Sequence, residues 1–356
     1  MASFSFRMTL NHEERCRLLL TTIVGLEDVV VEEASEKLKL YSFEIRPGNV
    51  GGRVIVEVPR EELDEVFKLR SIEHVIKLLK VFSVEPSPKG LNTIYKELYE
   101  AELPLGSTFR ITCERVGSHD YTSIDVQRVA GQAIVDRYGT KVDLKNPETV
   151  VRVDVTHNLC MVGIQLTRSP LHIRYQRVFQ HPSALNPIIA YAMLRLAKVK
   201  PGDAVLDAFC GGGTIIIEAA QVWDGLNLLG IDISPRSIEG AWKNAESAGV
   251  RAKVKFMVGD ARRLERFLPE GWKADKVVSN LPFGIRSGRL KSVPAVYSDF
   301  LRSLKPFLKE ESTVCLLTVH RELLESLAEN HGYKVLEARR IMYGGLASWI
   351  MLLKSG

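Results

Sequence analysis

From residue 203 onward, short apolar runs alternate with amphipathic stretches: AVLDAFC, TIIIEAAQVW, LNLLGIDI, SPRSIEGAWKNAESAG, VKFMVGD, DKVVSNLPF, SDFLRSLKPFL and TVCLLTV. Runs of this length and apolarity read as buried strands, and the stretches between them have helical spacing. Apolar strands separated by helices predict a parallel sheet covered on both faces, because parallel neighbours must be joined by a crossover. The chain then closes with HRELLESLAENHG, YKVLEARRIMYGG and ASWIMLLK. The last two are strand-like and joined at Gly344-Gly345, so one is expected to insert antiparallel to the other. In open sheets of this kind ligands bind beyond the carboxyl ends of the strands, which makes the strand-end residues the first place to look for chemistry.

In LDAFCGGGTIIIEAA the first strand ends at Asp207 and runs through three glycines into a helix. Glycines let the backbone approach a ligand, and a helix start offers free amides. The pattern is not GxGxxG; the acid before it would repel a pyrophosphate and suits a cation. A tight strand–helix turn accounts for the glycines equally well. The next strand ends in GIDIS, with Asp232 placed 25 positions after Asp207. A carboxylate there can chelate the two ribose hydroxyls of an adenosine, or serve only as a cap beside Ser234-Pro235. VGDARRL places Asp260 at the third end, where it can accept from an adenine amine, and SNLPFG places Asn280 and Phe283 at the fourth. Each has a bland alternative; four together define one functional rim.

The first 202 residues follow a different rhythm. RLLLTTIV reads as a strand, LEDVVVEEASEKL as a helix and SFEIRPGNVGGRVIVEV as two strands about a Pro/Gly turn. REELDEVFKLRSIEHVIKLLKVF is expected to be a helix with possible strand character at its end. That order fits a ferredoxin-like domain over 1–90, punctuated by PSPKG. Residues 91–172 form the next unit: amphipathic NTIYKELYEAEL, strand STFRITCERV, then GSHDYTS turning into a helix capped by Ser123 or Asp125, and two or three closing strands. His119 in that turn reads as a structural histidine. Residues 173–186 read as a linker, and 187–356 as the sheet domain, with Asn186 capping and Pro187 opening its first helix.

The five cysteines lie far apart without a CxxC pair, which argues against a zinc site or a disulfide framework and fits a reducing compartment. LLLTTIVGL is too short to span a bilayer. A cytoplasmic protein with no membrane partner and no metal is expected. Net charge is divided: residues 1–175 carry −2 and 176–356 carry +7, which hints at a polyanionic partner for the second half.

The series DAFCGGGT, GIDIS, GDA and NLPF resembles the motifs of class I methyltransferases that use S-adenosyl-L-methionine. NLPF looks like a variant of the [DNS]-P-P-[YFW] motif of enzymes that methylate nitrogens, with Leu281 replacing the first proline. GSHDYTSIDVQRVAGQAI with VDLKNPETVVRVDV resembles a THUMP domain, an RNA-binding module, and RYQR…HPSALNP is similar to the linker of THUMP-containing guanine-N2 methyltransferases. The resemblance implies an α/β, Rossmann-like methyltransferase domain, its seven-stranded sheet carrying an antiparallel last strand, preceded by α+β ferredoxin-like and THUMP domains. It implies methyl transfer to the exocyclic N2 of a tRNA guanosine, and LPFG is most like the branch acting at position 6 of the acceptor stem. Gly211, Gly213 and Thr214 would line the methionine moiety, with Asp207 near its ammonium and Cys210 and Ile233 in the same cofactor-binding set. Asp232 would hold the ribose, and Asp260 with the Ala261 amide would read the adenine. His181, Ser183 and Asn186 would fold over the cofactor. Asn280 and the Leu281 carbonyl would accept hydrogens from the target amine, Pro282 would stiffen the loop and Phe283 would stack on the base. Arg286, Arg289 and Lys291 would grip RNA phosphates. The expected partner is tRNA, held at its acceptor stem and 3′ end by a monomer. Competing readings are methylation of guanosine 10 or of ribosomal RNA, an NAD-dependent oxidoreductase using Asp232 on a nicotinamide ribose, and a non-catalytic RNA-binding protein.

Overall fold

The computed structural model describes residues 15–180, 184–284 and 290–356. Two compact units emerge: Met1–Thr22 with Val30–Pro170, and Ile23–Val29 with Leu171–Gly356.

In the first unit, β1 (Arg15–Thr21), α1 (Glu27–Lys37), β2 (Ser42–Ile45), β3 (Arg53–Pro59), α2 (Leu63–Val66) and β4 (His74–Ser83) come first. The segment 60–82, expected to be a helix with possible strand character at its end, keeps only a three-residue tight turn at Arg60–Glu62 leading into the four residues of α2, and then runs as a ten-residue strand. Val75 and Ile76 are buried along β4, and the pairing of β4 with β1 outweighs the local helical spacing. Next come α3 (Lys89–Tyr99), β5 (Thr108–Thr112), β6 (Arg115–Val116), α4 (Ser123–Tyr138), β7 (Lys141–Val142), β8 (Thr149–Thr156) and β9 (Leu159–Gln165). The cap of α4 is Thr122, not Ser123 or Asp125. Its hydroxyl accepts from the Asp125 amide, while Asp125 accepts from the Thr122 amide, a reciprocal box that satisfies two orphan donors. His119 is held between Arg115 Nη1 at 2.8 Å and the His157 carbonyl at 2.6 Å, as a structural histidine would be.

These strands make one nine-stranded sheet, in the order β2-β3-β1-β4-β9-β8-β5-β7 with β6 on β8. β4 and β9 pair antiparallel from Ile76↔Gln165 to Ser83↔Leu159, so the sheet runs through both the 1–90 and 91–172 stretches. Gly163 lies at this seam, where a Cβ would meet the Lys77 carbonyl at 2.5 Å.

The second unit is the predicted strand–helix alternation: α5 (Pro187–Leu196), β10 (Ala204–Asp207), α6 (Thr214–Val222), β11 (Asn227–Asp232), α7 (Pro235–Ser247), β12 (Val254–Val258), β13 (Ala274–Asn280), α8 (Val293–Leu304), β14 (Leu308–Thr318), α9 (Arg321–Asn330), β15 (Tyr333–Tyr343) and β16 (Leu346–Ser355). The seven strands are ordered β12-β11-β10-β13-β14-β16-β15. All pairs from β12 to β14 are parallel, and β16 enters antiparallel between β14 and β15. Two apolar cores cover the two faces, one gathering α5, α6 and α7 and the other α8 and α9. Fully buried side chains such as Ile216, Ile217 and Leu301 each contribute about 1.5–3 kcal/mol. Asn186 caps α5 by accepting from the Ile188 amide at 2.8 Å, with Pro187 in the first turn, as expected. No described helix is long and apolar enough to cross a membrane.

Candidate active site

The register places the strand ends side by side: Asp207 opposite Gly230, Asp232 opposite Val258, and Asn280 opposite Leu317. A cavity of about 760 Å³ opens along this rim. It brings together Asp207, Cys210, Gly211, Thr214, Asp232 and Ile233 with Asp260, Ala261 and Asn280–Phe283. Gly213 and Asn186 stay out of the lining: Gly213 sits at φ +83 with a would-be Cβ 2.8 Å from the Phe256 ring, and Asn186 is spent on its helix cap. His181, Ser183, Arg286 and Arg289 lie outside the described residues; Lys291 is exposed and does not line the cavity.

The sequence reading missed several lining residues. Gly212 takes the place given to Gly213, and its carbonyl accepts from Asn244 Nδ2 at 3.0 Å. Asn244 also accepts from the Phe179 amide, which ties the linker to the glycine turn. Tyr343, Gly344 and Leu346 come from the β15–β16 hairpin, and Tyr343 Oη donates to the Ala184 carbonyl at 2.7 Å. Only the double glycine marked that turn in the sequence, and it reported a reversal, not a wall. Val293 and Val296 of α8 complete an apolar side.

Each carboxylate is held differently. Asp232 accepts from the Gly211 amide and the Ser234 amide, both at 2.9 Å, so it fixes the glycine turn while facing the cavity. Asp207 is buried and accepts from Ser279 Oγ at 2.9 Å and the Phe209 amide at 3.2 Å; Ser279 Oγ in turn accepts from the Ala208 amide. Burial pushes the Asp207 carboxyl up to about 7, against the lowering effect of those hydrogen bonds. Asp260 is held below the usual carboxylate range, first by the Arg262 side chain, whose Nη2 lies 2.7 Å away. Among the described residues Arg262 is the one cation in the lining, and Asp260 already engages it. Three acids and no free cation make a poor seat for a dinucleotide pyrophosphate and a good one for a cationic adenosine ligand. The donor set therefore fits S-adenosyl-L-methionine: a turn of glycines, a carboxylate for a ribose diol and an acidic end for an ammonium.

The Asn280–Phe283 loop is fixed from behind. The Leu281 amide donates to the Leu317 carbonyl at 3.0 Å. Tyr297 Oη donates to the Pro282 carbonyl at 3.1 Å and lies 3.0 Å from Thr318 Oγ1, which accepts from the His320 amide at 2.9 Å. A carbonyl only accepts, so the Tyr297 proton goes to Pro282 and the Thr318 proton to Tyr297. His320 Nε2 lies 2.9 Å from the Phe283 carbonyl, which makes that nitrogen the protonated one. Of the described residues that line the cavity, Asn280 is the one whose side chain leaves a buried polar atom, Oδ1, without a partner. A buried acceptor left open costs about 1–3 kcal/mol, so an N–H donor is the ligand it fits.

A parallel sheet with a reversed seventh strand, and a rim of a glycine turn and three carboxylates at its strand ends, defines a class I, S-adenosyl-L-methionine-dependent methyltransferase. The UPF0020 family model, described as an RMKL-like methyltransferase domain, matches residues 174–348, and the THUMP domain model matches residues 89–165. Two relatives named tRNA (guanine(6)-N2)-methyltransferase are alike over 94% of this chain: one from Thermus thermophilus, 34% identical over 98% of its length, and one from Archaeoglobus fulgidus, 30% identical over 91%. The crystal structure of TrmN from Thermus thermophilus superposes with a TM-score of 0.83 at 32% identity, covering 96% of this chain and 99% of that one. The chain belongs to the THUMP-containing family of tRNA guanine-N2 methyltransferases.

Proposed function

We propose that the protein transfers a methyl group from S-adenosyl-L-methionine to the exocyclic N2 of a tRNA guanosine, at position 6 of the acceptor stem, giving N2-methylguanosine. The observation that carries this is the open, buried Asn280 Oδ1 beside the acidic cofactor rim. A guanine amine is a poor nucleophile because its lone pair is delocalised into the ring. Asn280 Oδ1 and the Leu281 carbonyl accept its two hydrogens and favour a pyramidal nitrogen aimed at the methyl donor. The carbonyls of Pro282 and Phe283 each already accept one hydrogen bond from within the protein, which makes them poorer acceptors for the amine. When bound, the sulfonium cofactor supplies the activated methyl group and leaves as the neutral thioether, and the surplus proton of the methylated nitrogen passes to solvent. Phe283 stacks on the base, returning about 1–3 kcal/mol of the few kcal/mol needed to extract a paired nucleotide. Asp207 neutralises the cofactor ammonium, Asp232 binds the ribose, and Asp260 with the Ala261 amide reads the adenine. His181 and Ser183 are proposed to close over the cofactor, with Asn186 kept as the cap of the helix behind them, and Arg286, Arg289 and Lys291 to grip RNA near the site.

We assign 1–90 as ferredoxin-like, 91–172 as THUMP, 173–186 as linker and 187–356 as catalytic, in a cytoplasmic monomer whose first two domains hold the acceptor stem and 3′ end. Relatives named for position 6 match between 73% and 94% of this chain, and a Methanothermobacter relative named for guanosine 10 matches 59% of it, which supports the choice of position.

The test is incubation of the purified protein with unmodified tRNA transcripts and methyl-labelled cofactor, beside Asn280→Ala. We expect N2-methylguanosine mapped to position 6, with kcat reduced at least a hundredfold in the variant and cofactor affinity kept, as for loss of one preorganised polar contact to the reacting group (about 10²–10³ in rate). The same nucleoside elsewhere would overturn the position, and no label would overturn the substrate.

A further inference from the structure

The turn Ala261–Arg266, which follows Asp260, has a second face. A cleft of about 600 Å³ lies there, lined by Arg262, Arg263, Arg266 and Arg302 together with Ser303 and Phe307. Two carboxylates also reach it. Asp299 is engaged by Arg302 at 2.5 Å, and Glu265 lies 3.5 Å from the Ser303 hydroxyl. Arg262 is engaged by Asp260. Arg263 and Arg266 are exposed, and among the described residues neither has an ion-pair partner within 4.0 Å. The cleft thus presents two guanidinium groups outside ion-pair distance of any described carboxylate on one short turn, although the Arg263 charge is still felt at Asp260.

Its position links it to the methyl-transfer cavity. Arg262 lines both. Val293 and Val296, early in α8, line the cavity, whereas Asp299, Arg302 and Ser303, later in the same helix, line the cleft. From Val296 to Arg302 the helix rises about 9 Å, close enough for a strand with one nucleotide in the cavity to run past the cleft. Guanidinium forks match phosphate oxygens in bidentate geometry, and the ring of Phe307 gives the cleft an apolar wall against sugar or base. Glu265 and Asp299 repel any polyanion alike; what favours a phosphodiester chain is that the adjoining cavity would hold one nucleotide of the same strand. We infer that this arginine cleft binds the phosphodiester backbone of the substrate RNA next to the target guanosine. The inference rests on the RNA substrate proposed above.

The experiment is tRNA binding by fluorescence anisotropy across a salt series, with wild type and Arg263→Ala/Arg266→Ala. Both residues are exposed, so folding is expected to hold, and an unchanged S-adenosylhomocysteine affinity by calorimetry checks it. Each lost phosphate contact lowers the slope of log K against log salt by about 0.9. The double variant is therefore expected to lower it by about two, to raise KM for tRNA and to leave kcat at saturating tRNA within about threefold. Arg263→Lys/Arg266→Lys should restore most of the slope. Lys255→Ala/Lys334→Ala removes the same charge elsewhere on this unit and should barely move it. Equal slopes for wild type and the cleft variant, or equal losses for the cleft and control variants, would overturn the inference. Saturable inorganic phosphate binding at constant ionic strength, lost in the cleft variant while the tRNA slope stays, would mark a free-anion site and overturn the RNA assignment. If wild type bound S-adenosylhomocysteine but no tRNA at any salt, the functional reading would fail, and the inference with it.

Discussion

Asp207 carries the sharpest electrostatic consequence of the fold. Its carboxyl, ordinarily acidic, is raised by burial to about 7. The folded state therefore binds a proton that the unfolded chain has released, so the stability this group contributes is full at low pH and is lost as pH rises from about 4 to about 7. A cofactor ammonium beside it favours the ionised form and must expel that proton. Binding is thus expected to tighten with pH, approaching tenfold per unit below 7, and to level off above it. Calorimetry of S-adenosylhomocysteine at pH 6.0–7.5, in buffers of different ionisation enthalpy, should show proton release on binding. Asp207→Asn should abolish the release and flatten the pH dependence. A wild type that already binds without proton release would show Asp207 ionised before the ligand arrives. Ser279 holds this carboxylate and is the residue next to Asn280, so cofactor end and base end meet across one hydroxyl between β10 and β13.

A leucine suffices at position 281, where related motifs carry a proline, because neighbouring elements hold the loop. The loop is clamped by the ends of α8 and β14: Tyr297 takes the Pro282 carbonyl, His320 the Phe283 carbonyl, and Leu317 the Leu281 amide. Rigidity comes from that chain of donors, not from a second ring in the backbone. Tyr297→Phe keeps the buried ring and removes one hydroxyl. We expect kcat to fall about tenfold to a hundredfold, since misplacing a reacting contact by about 1 Å costs that order, with cofactor affinity unchanged. A variant that loses cofactor affinity in step with kcat would show a general packing defect instead. Residues 60–82 also answer to neighbouring elements: their helical spacing is real, but β1 and β9 offer a ladder on either side, and pairing decides.

For the whole molecule, the two units set where ligand binding should be felt. A ligand that binds only the folded state stabilises it by RT ln(1 + [L]/Kd), about 2.7 kcal/mol at a hundred times Kd. Hydrogen exchange with S-adenosylhomocysteine is expected to show that gain in β10, β11 and β13, whose ends form the rim. Unchanged protection in those strands at saturating ligand would contradict a site at their carboxyl ends. The alternating sheet, its reversed last strand and the strand-end places of Asp207, Asp232, Asp260 and Asn280 were legible in the sequence because period, glycine turns and terminal acids are local signals, whereas the THUMP stretch was legible only by its resemblance to a known family. It takes the packed fold to show that Gly212 and not Gly213 faces the cavity, that the β15–β16 hairpin walls it, that Arg262 engages Asp260, and that Asn280 Oδ1 stays open while the Pro282 and Phe283 carbonyls are taken. Those facts depend on which side chains from distant segments arrive at the same point, and no spacing along the chain encodes that.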